Sequence, residues 1–104
     1  MSKVHEVKCR YFDFEDMFYA RKTFDLLEND KDFKAGDDIR YMEWDPEYGH
    51  CTGRFFQAEI CYTISGENGL EDDYIIVGLT RIEVMRMDYV VQRKYLELVE
   101  EKNP

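Results

Sequence analysis

The segment from Arg54 to Ile64 constrains the fold more than any other part of the chain. Phe56, Ala58, Ile60, Tyr62 and Ile64 alternate with Gln57, Glu59 and Thr63. An extended strand points successive side chains to opposite faces, so it alone sorts this order into one apolar and one polar side. The segment therefore reads as a half-buried β-strand.

Its neighbours follow from the same rule. Residues 4–9 alternate, with His5, Val7 and Cys9 on one face. Residues 23–27 form a second strand, with Phe24 and Leu26 on the core face and Thr23, Asp25 and Leu27 on the other. Residues 39–44 form a third, ended by Asp45-Pro46 and Gly49, because proline fixes φ and cannot continue a ladder. Residues 74–79, YIIVGL, are apolar on both faces and are predicted to be a central strand.

Two stretches follow a helical period instead. Asp13 is predicted to cap a short helix whose apolar side is Phe14, Met17 and Phe18, ending near Arg21. After Ile82, Met87, Val91, Tyr95 and Leu98 make a stripe on a last helix capped by Asp88. The order β-α-β-β-β-β-α gives an α+β fold. It is read as a small mixed β-barrel or strongly curved sheet, with a short helix at the mouth and a C-terminal helix against the outside. Residues 1–83 are assigned to the barrel, and residues 84–104 to a helical extension of the same domain.

The 104 residues suffice for one domain, and 44% apolar with 15% aromatic content supports a packed interior. With 23 acidic against 14 basic side chains the formal charge is −9. Such a chain repels phosphates at long range, which disfavours non-specific duplex binding. The first twelve residues lack the apolar core of a signal peptide, and no run reaches the roughly 20 apolar residues that span a bilayer. A cytoplasmic location and no membrane partner are expected. Cys9, Cys51 and Cys61 are odd in number and widely spaced, as reduced thiols are.

Several short motifs fall in order along the chain: His5-x-x-Lys8, Arg21-Lys22-Thr23-Phe24-Asp25, Asn29-Asp30-Lys31-Asp32-Phe33-x-x-Gly36-Asp37, Glu43-Trp44-Asp45-Pro46 and Thr52-Gly53-Arg54. This pattern, over roughly residues 3 to 82, resembles a small ASCH-type domain of the PUA-like superfamily, in a branch common in bacteria and their phages. The resemblance implies a PUA-like β-barrel that binds RNA or modified nucleotides; some such domains are nucleases or small amidohydrolases acting on acylated cytidine. It also implies a site where a helix meets the barrel, built on the pattern G-x-K-x-x-E-x-R. Here Ala20, Lys22, Asp25 and Leu27 fill those positions. The lysine is kept, the acid is one methylene shorter, and the glycine and arginine are replaced.

The site expected from this comparison is Lys22, Thr23 and Asp25, with His5, Lys8, Arg54 and Trp44 as further ligand-binding residues. Lys22 and Asp25 read either as a cleft lysine oriented by an acid or as a cross-turn salt bridge. If the protein is an enzyme, Lys22, Thr23 and Asp25 are its catalytic candidates. His5 and Lys8 should point to opposite faces. His5 and Cys9, about 13 Å apart along a strand, cannot share a metal. Neither Asp37-Asp38 nor Glu71-Asp72-Asp73 matches a calcium loop, so no metal and no cofactor are expected. Trp44, Tyr41 and Tyr48 are candidates for base stacking, with Arg40, Arg54 and Lys34 on the backbone. Alternatively, Trp44 is core and the tyrosines shield it.

Three functions are consistent with these residues. The first is a binding module for single-stranded RNA or a modified nucleotide, encoded by a phage or mobile element. The second is an acidic interaction module that mimics nucleic acid or docks on a basic host protein. The third is a small amidohydrolase acting on a modified nucleoside. The C-terminal helix is a possible dimerisation face.

Overall fold

The structure is a computed structural model and describes residues 2–66, 69–81 and 86–102. The elements run β1 (Val4–Arg10), α1 (Tyr11–Phe18), β2 (Phe24–Glu28), β3 (Asp38–Asp45), β4 (His50–Ser65), β5 (Tyr74–Arg81), β6 (Arg86–Met87) and α2 (Tyr89–Lys102). The fold is α+β, as the order of periodicities predicted. The expected boundary between residues 83 and 84 lies outside the described residues.

The strands form one mixed sheet in the order β1-β3-β4-β5-β2, with β6 paired to β4. β1 runs parallel to β3, and the other ladders are antiparallel. Among the described residues no ladder joins β1 to β2, so hydrogen bonding does not close the sheet into the expected barrel. An opening of about 320 Å³ separates the two edges instead, lined by Val7 and Lys8 on one side and Leu27, Glu28 and Lys31 on the other.

The inner face of the sheet wraps around α1. Phe14 and Met17 of that helix are buried with Cys9, Phe33, Ile39, Tyr41, Phe56, Ala58, Ile60, Ile75 and Val77. Phe14 meets Phe56 edge-on at 5.3 Å, and Tyr41 stacks on Phe56 at 5.2 Å. Rings at these separations add directional packing to the burial of their area. Fully burying a side chain such as Phe14 contributes roughly 1.5–3 kcal/mol, so this cluster fixes where the helix sits.

Several expectations need correction. α1 begins at Tyr11 after Arg10, which makes no side-chain cap bond. Asp13 lies inside the first turn, where its charge favours the helix dipole without capping it. The inward face of β2 is also reversed. Phe24 and Leu26 are 49% and 53% exposed, while Asp25 and Leu27 turn inward. Alternation defines two faces, but the partners choose which one is buried.

β4 is longer than predicted and carries a register shift between Ile60 and Tyr62. The extra residue, Cys61, switches the faces. Phe56, Ala58 and Ile60 stay in the core, whereas Tyr62 is 50% exposed. β5 lies between β4 and β2, the interior position predicted for it.

α2 is anchored by its first turn. Asp88 accepts from the Val91 amide at 3.1 Å, as expected of a cap, and donates its own amide to the Gly53 carbonyl at 2.7 Å. Gly53 has φ +97°, and a Cβ there would sit 2.7 Å from the Asp88 carbonyl oxygen. Only glycine allows both that conformation and that approach. Farther along, the Tyr95 hydroxyl donates to Asp45 at 2.7 Å and the Lys102 ammonium to the Glu47 carbonyl at 3.1 Å. Of the predicted stripe, Val91, Tyr95 and Leu98 lie half-buried on α2, whereas Met87 precedes the helix and pairs with Arg54 as part of β6; no described residue of α2 is fully buried.

Candidate functional site

The end of α1 presents the site. The Ala20 amide donates to the Met17 carbonyl at 3.1 Å and the Arg21 amide to the Asp16 carbonyl at 2.8 Å. This paired closure of a helix end requires a left-handed residue one past the cap. That residue is Ala20, at φ +60°, a conformation in which a Cβ crowds the backbone. The Lys22 amide also reaches the Asp16 carbonyl, at 3.1 Å. The turn thus fixes the direction in which the chain enters β2 and delivers Lys22, Thr23 and Asp25 together.

The Lys22 ammonium lies 3.7 Å from the Asp25 carboxylate, with the side chains 28% and 16% exposed. Burial raises Asp25 above the ordinary carboxylate range, against the opposing pull of Lys22, the Tyr41 hydroxyl and the Leu26 amide. Tyr41 is fully buried, and its hydroxyl makes no hydrogen bond of ordinary geometry among the described residues. Burial, with the Asp25 charge second, pushes the phenol far above its usual value. Cys9 joins this interior group; burial, aided by Asp25 and Asp13, pushes its thiol up to about 12. A thiol so raised stays protonated and is a poor nucleophile at neutral pH.

Beside this group a cavity of about 30 Å³ is lined by Met17, Ala20, Lys22, Thr23, Phe56, Ala58 and Leu79. It has room for one or two water-sized groups, given that a single water needs at least about 10–15 Å³. Thr23 is itself held in place, since its carbonyl accepts from the Leu79 amide at 2.8 Å. Leu27, at the position where the pattern has arginine, packs against the core.

The other expected ligand-binding residues are engaged elsewhere. His5 Nε2 lies 2.8 Å from Asp37 Oδ2, both side chains 7% exposed, and its ring lies 4.7 Å from that of Phe33. The His5 contact holds Asp37 below the ordinary carboxylate range, with the Lys3 and Lys34 amides helping against burial. His5 thus clamps β1 to the turn before β3. Lys8 points to the opposite side, as expected, with its ammonium 4.3 Å above the half-buried Trp44 ring. The fully buried Tyr41 cannot stack on a base, and Tyr48 packs edge-on against Tyr95 at 5.9 Å.

Arg54 belongs to a network that the sequence motifs did not connect. Its Nη2 donates to Glu43 Oε2 at 2.8 Å and Glu15 Oε1 at 2.6 Å, while the Thr52 hydroxyl donates to Glu43 Oε1 at 2.6 Å. The guanidinium also lies 4.8 Å from the Phe14 ring. Burial works against its charge, but the two carboxylates outweigh it and raise its pKa further. The network ties α1 to β3 and β4, so Arg54 is a structural clamp in this state. The sequence signal was that Thr52 and Arg54 share a strand face and Glu43 lies near the end of the neighbouring strand; Glu15 left no local sign.

Among the described residues no three His, Cys, Asp or Glu side chains converge as a metal site. No described helix is long and apolar enough to cross a membrane. No curated protein matches the chain. A family model does match residues 4–79, the span that holds β1 through most of β5 and every expected site residue. The chain therefore belongs to the family described as Domain of unknown function (DUF3850).

Proposed function

We propose that the chain is a PUA-like, ASCH-type binding module that takes RNA or a nucleotide-like ligand at the cleft of Lys22, Thr23 and Asp25. The observation that carries this reading is the pairing of a partly exposed ammonium with a mostly buried carboxyl group, 3.7 Å apart, beside a small cavity. The ammonium supplies a charged donor to phosphate or carbonyl oxygen, and the carboxylate beside it can accept from an amino or hydroxyl group of the ligand.

The left-handed Ala20 supports the resemblance, because it stands where the pattern has glycine and keeps the backbone conformation that glycine favours. The cavity admits only the polar tip of a ligand, such as an exocyclic group of a base, and leaves the rest on the rim. Leu27 offers no donor at the arginine position, so phosphate recognition rests on Lys22.

Titration of labelled single-stranded RNA, and separately of acylated cytidine, against the native protein and Lys22→Ala tests the proposal. Saturable binding by the native chain that weakens on the order of tenfold in the variant is expected for loss of one charged contact. No binding, or equal binding by both proteins, removes the proposal.

A further inference from the structure

The outward face of β2, β5 and the far half of β4 carries an apolar stripe. The register places Phe24 beside Gly78 and Gly78 beside Tyr62; in the next row Leu26 meets Ile76 and Ile76 meets Ile64. Glu28 and Tyr74 form the row after that. Phe24 is 49% exposed, Leu26 53%, Tyr62 50% and Tyr74 36%. Gly78 lets the Tyr62 ring lie flat across the strand, since a Cβ at that position would collide with the ring. α2 is tied to Gly53, Asp45 and Glu47, at the other end of β4. A contiguous exposed apolar patch marks an interaction surface in a soluble domain.

The charge at its ends identifies the occupant. Next to the Glu28 and Tyr74 row an opening of about 380 Å³ is lined by Glu28, Asn29, Asp30, Asp72, Asp73 and Tyr74. None of these four carboxylates makes an ion pair among the described residues. They do not converge on a metal position either. At the opposite end the Lys22 ammonium lies 5.6 Å from the Phe24 ring. The stripe is therefore polarised: four carboxylates at one end, an apolar length, and the Asp25-paired Lys22 at the other.

We propose that this face docks a partner polypeptide with an apolar ridge and a cluster of lysines or arginines at one end. The ridge covers Leu26, Ile76, Ile64 and Tyr62, and the basic cluster enters the opening between Glu28 and Asp73. Nucleic acid is disfavoured because the carboxylates repel phosphate at the place where the backbone would run, and an anionic membrane for the same reason. A second copy would bring another chain of formal charge −9 to the same face. The nucleotide cleft opens on the inner side of the sheet and Lys22 borders both surfaces, so the test of this proposal varies only Leu26, Asp72 and Asp73 on the outer face.

The test uses the full chain and a synthetic helical peptide with a leucine ridge and four lysines at one end. A control peptide replaces those lysines with glutamates. Amide shifts are followed by NMR at 50 and 300 mM salt. Shifts confined to residues 24–28, 62–64 and 72–78 are expected with the lysine peptide, together with weakening at high salt. Affinity should fall on the order of tenfold in Leu26→Ser and again in Asp72→Lys/Asp73→Lys. All three positions are exposed, so thermal unfolding of each variant should show the native fold retained.

Equal binding of the two peptides, an unchanged affinity in both variants, or shifts outside this face overturns the proposal. So does displacement of the lysine peptide by single-stranded RNA with shifts on the same face. Concentration-dependent dimerisation of the native chain that Leu26→Ser abolishes also overturns it, because a second copy then takes the face.

Discussion

Ala20 shows how much a single backbone angle can hold. At φ +60° it closes α1 and aims Lys22, yet it carries a Cβ that this region of conformational space disfavours. Glycine there would relieve the strain while adding freedom to the unfolded chain, and the first effect is the larger. Ala20→Gly should stabilise the protein by about 0.5–1 kcal/mol, read as a higher denaturation midpoint at unchanged slope. An unchanged or lower midpoint would mean that the turn is not strained. The spacing of Lys22, Thr23 and Asp25 was legible in the sequence because one local turn delivers all three. The clamps on His5 and Arg54 were not, because Asp37 lies 32 residues from His5 and Glu15 lies 39 from Arg54.

At the scale of elements, the alternation that identified the strands could not say which edge is free or where a ladder slips. Among the described residues β2 has a neighbour on one side only, which lets Phe24 and Leu26 face outward while Asp25 turns in. Cys61 adds one residue to β4 and reverses the faces beyond it, which local alternation does not reveal because both neighbours of the bulge are apolar. α2 was readable from its Asp88 cap to the half-buried Val91, Tyr95 and Leu98, but Met87, which fits the same period, belongs to β6. Since no described side chain of this helix is fully buried, its first turn matters more than usual to its docking. Asp88→Ala removes the side-chain cap but keeps the backbone bond to Gly53; it should cost about 1 kcal/mol and speed hydrogen exchange at the Val91 and Gln92 amides. Unaltered exchange at those amides would assign the anchoring to the far end of the helix.

For the whole molecule, two inward carboxylates pull the pH dependence in opposite directions. Asp37 has a folded pKa below its unfolded value. Its contribution is therefore present above about pH 4 and is lost as the pH falls through the folded pKa. Asp25 has a folded pKa above its unfolded value. Around and above pH 4 the folded state holds that proton longer than the unfolded chain, so stability declines as the pH rises through the folded pKa. Asp25→Asn should remove this decline and raise the melting temperature at neutral pH, while Asp37→Asn should lower it and flatten the acid limb. Melting curves of the three proteins from pH 3 to 8 provide the check; an Asp25→Asn variant less stable than native at pH 7 would show that the Lys22 ion pair outweighs the burial of the charge.

The parallel pairing of β1 with β3 also sets an order of events as the chain folds. Val4 is opposite Asp38, 34 positions on, whereas the ladders from β3 to β5 are antiparallel hairpins between consecutive strands. Closing the longer loop costs more chain entropy before any contact offsets it. During synthesis β1 must therefore wait for α1, β2 and β3 before it can pair. Among the described residues its outer edge pairs with no other strand, so β1, like the opposite edge strand β2, which waits for β5, is open to capture by another chain while the protein is being made.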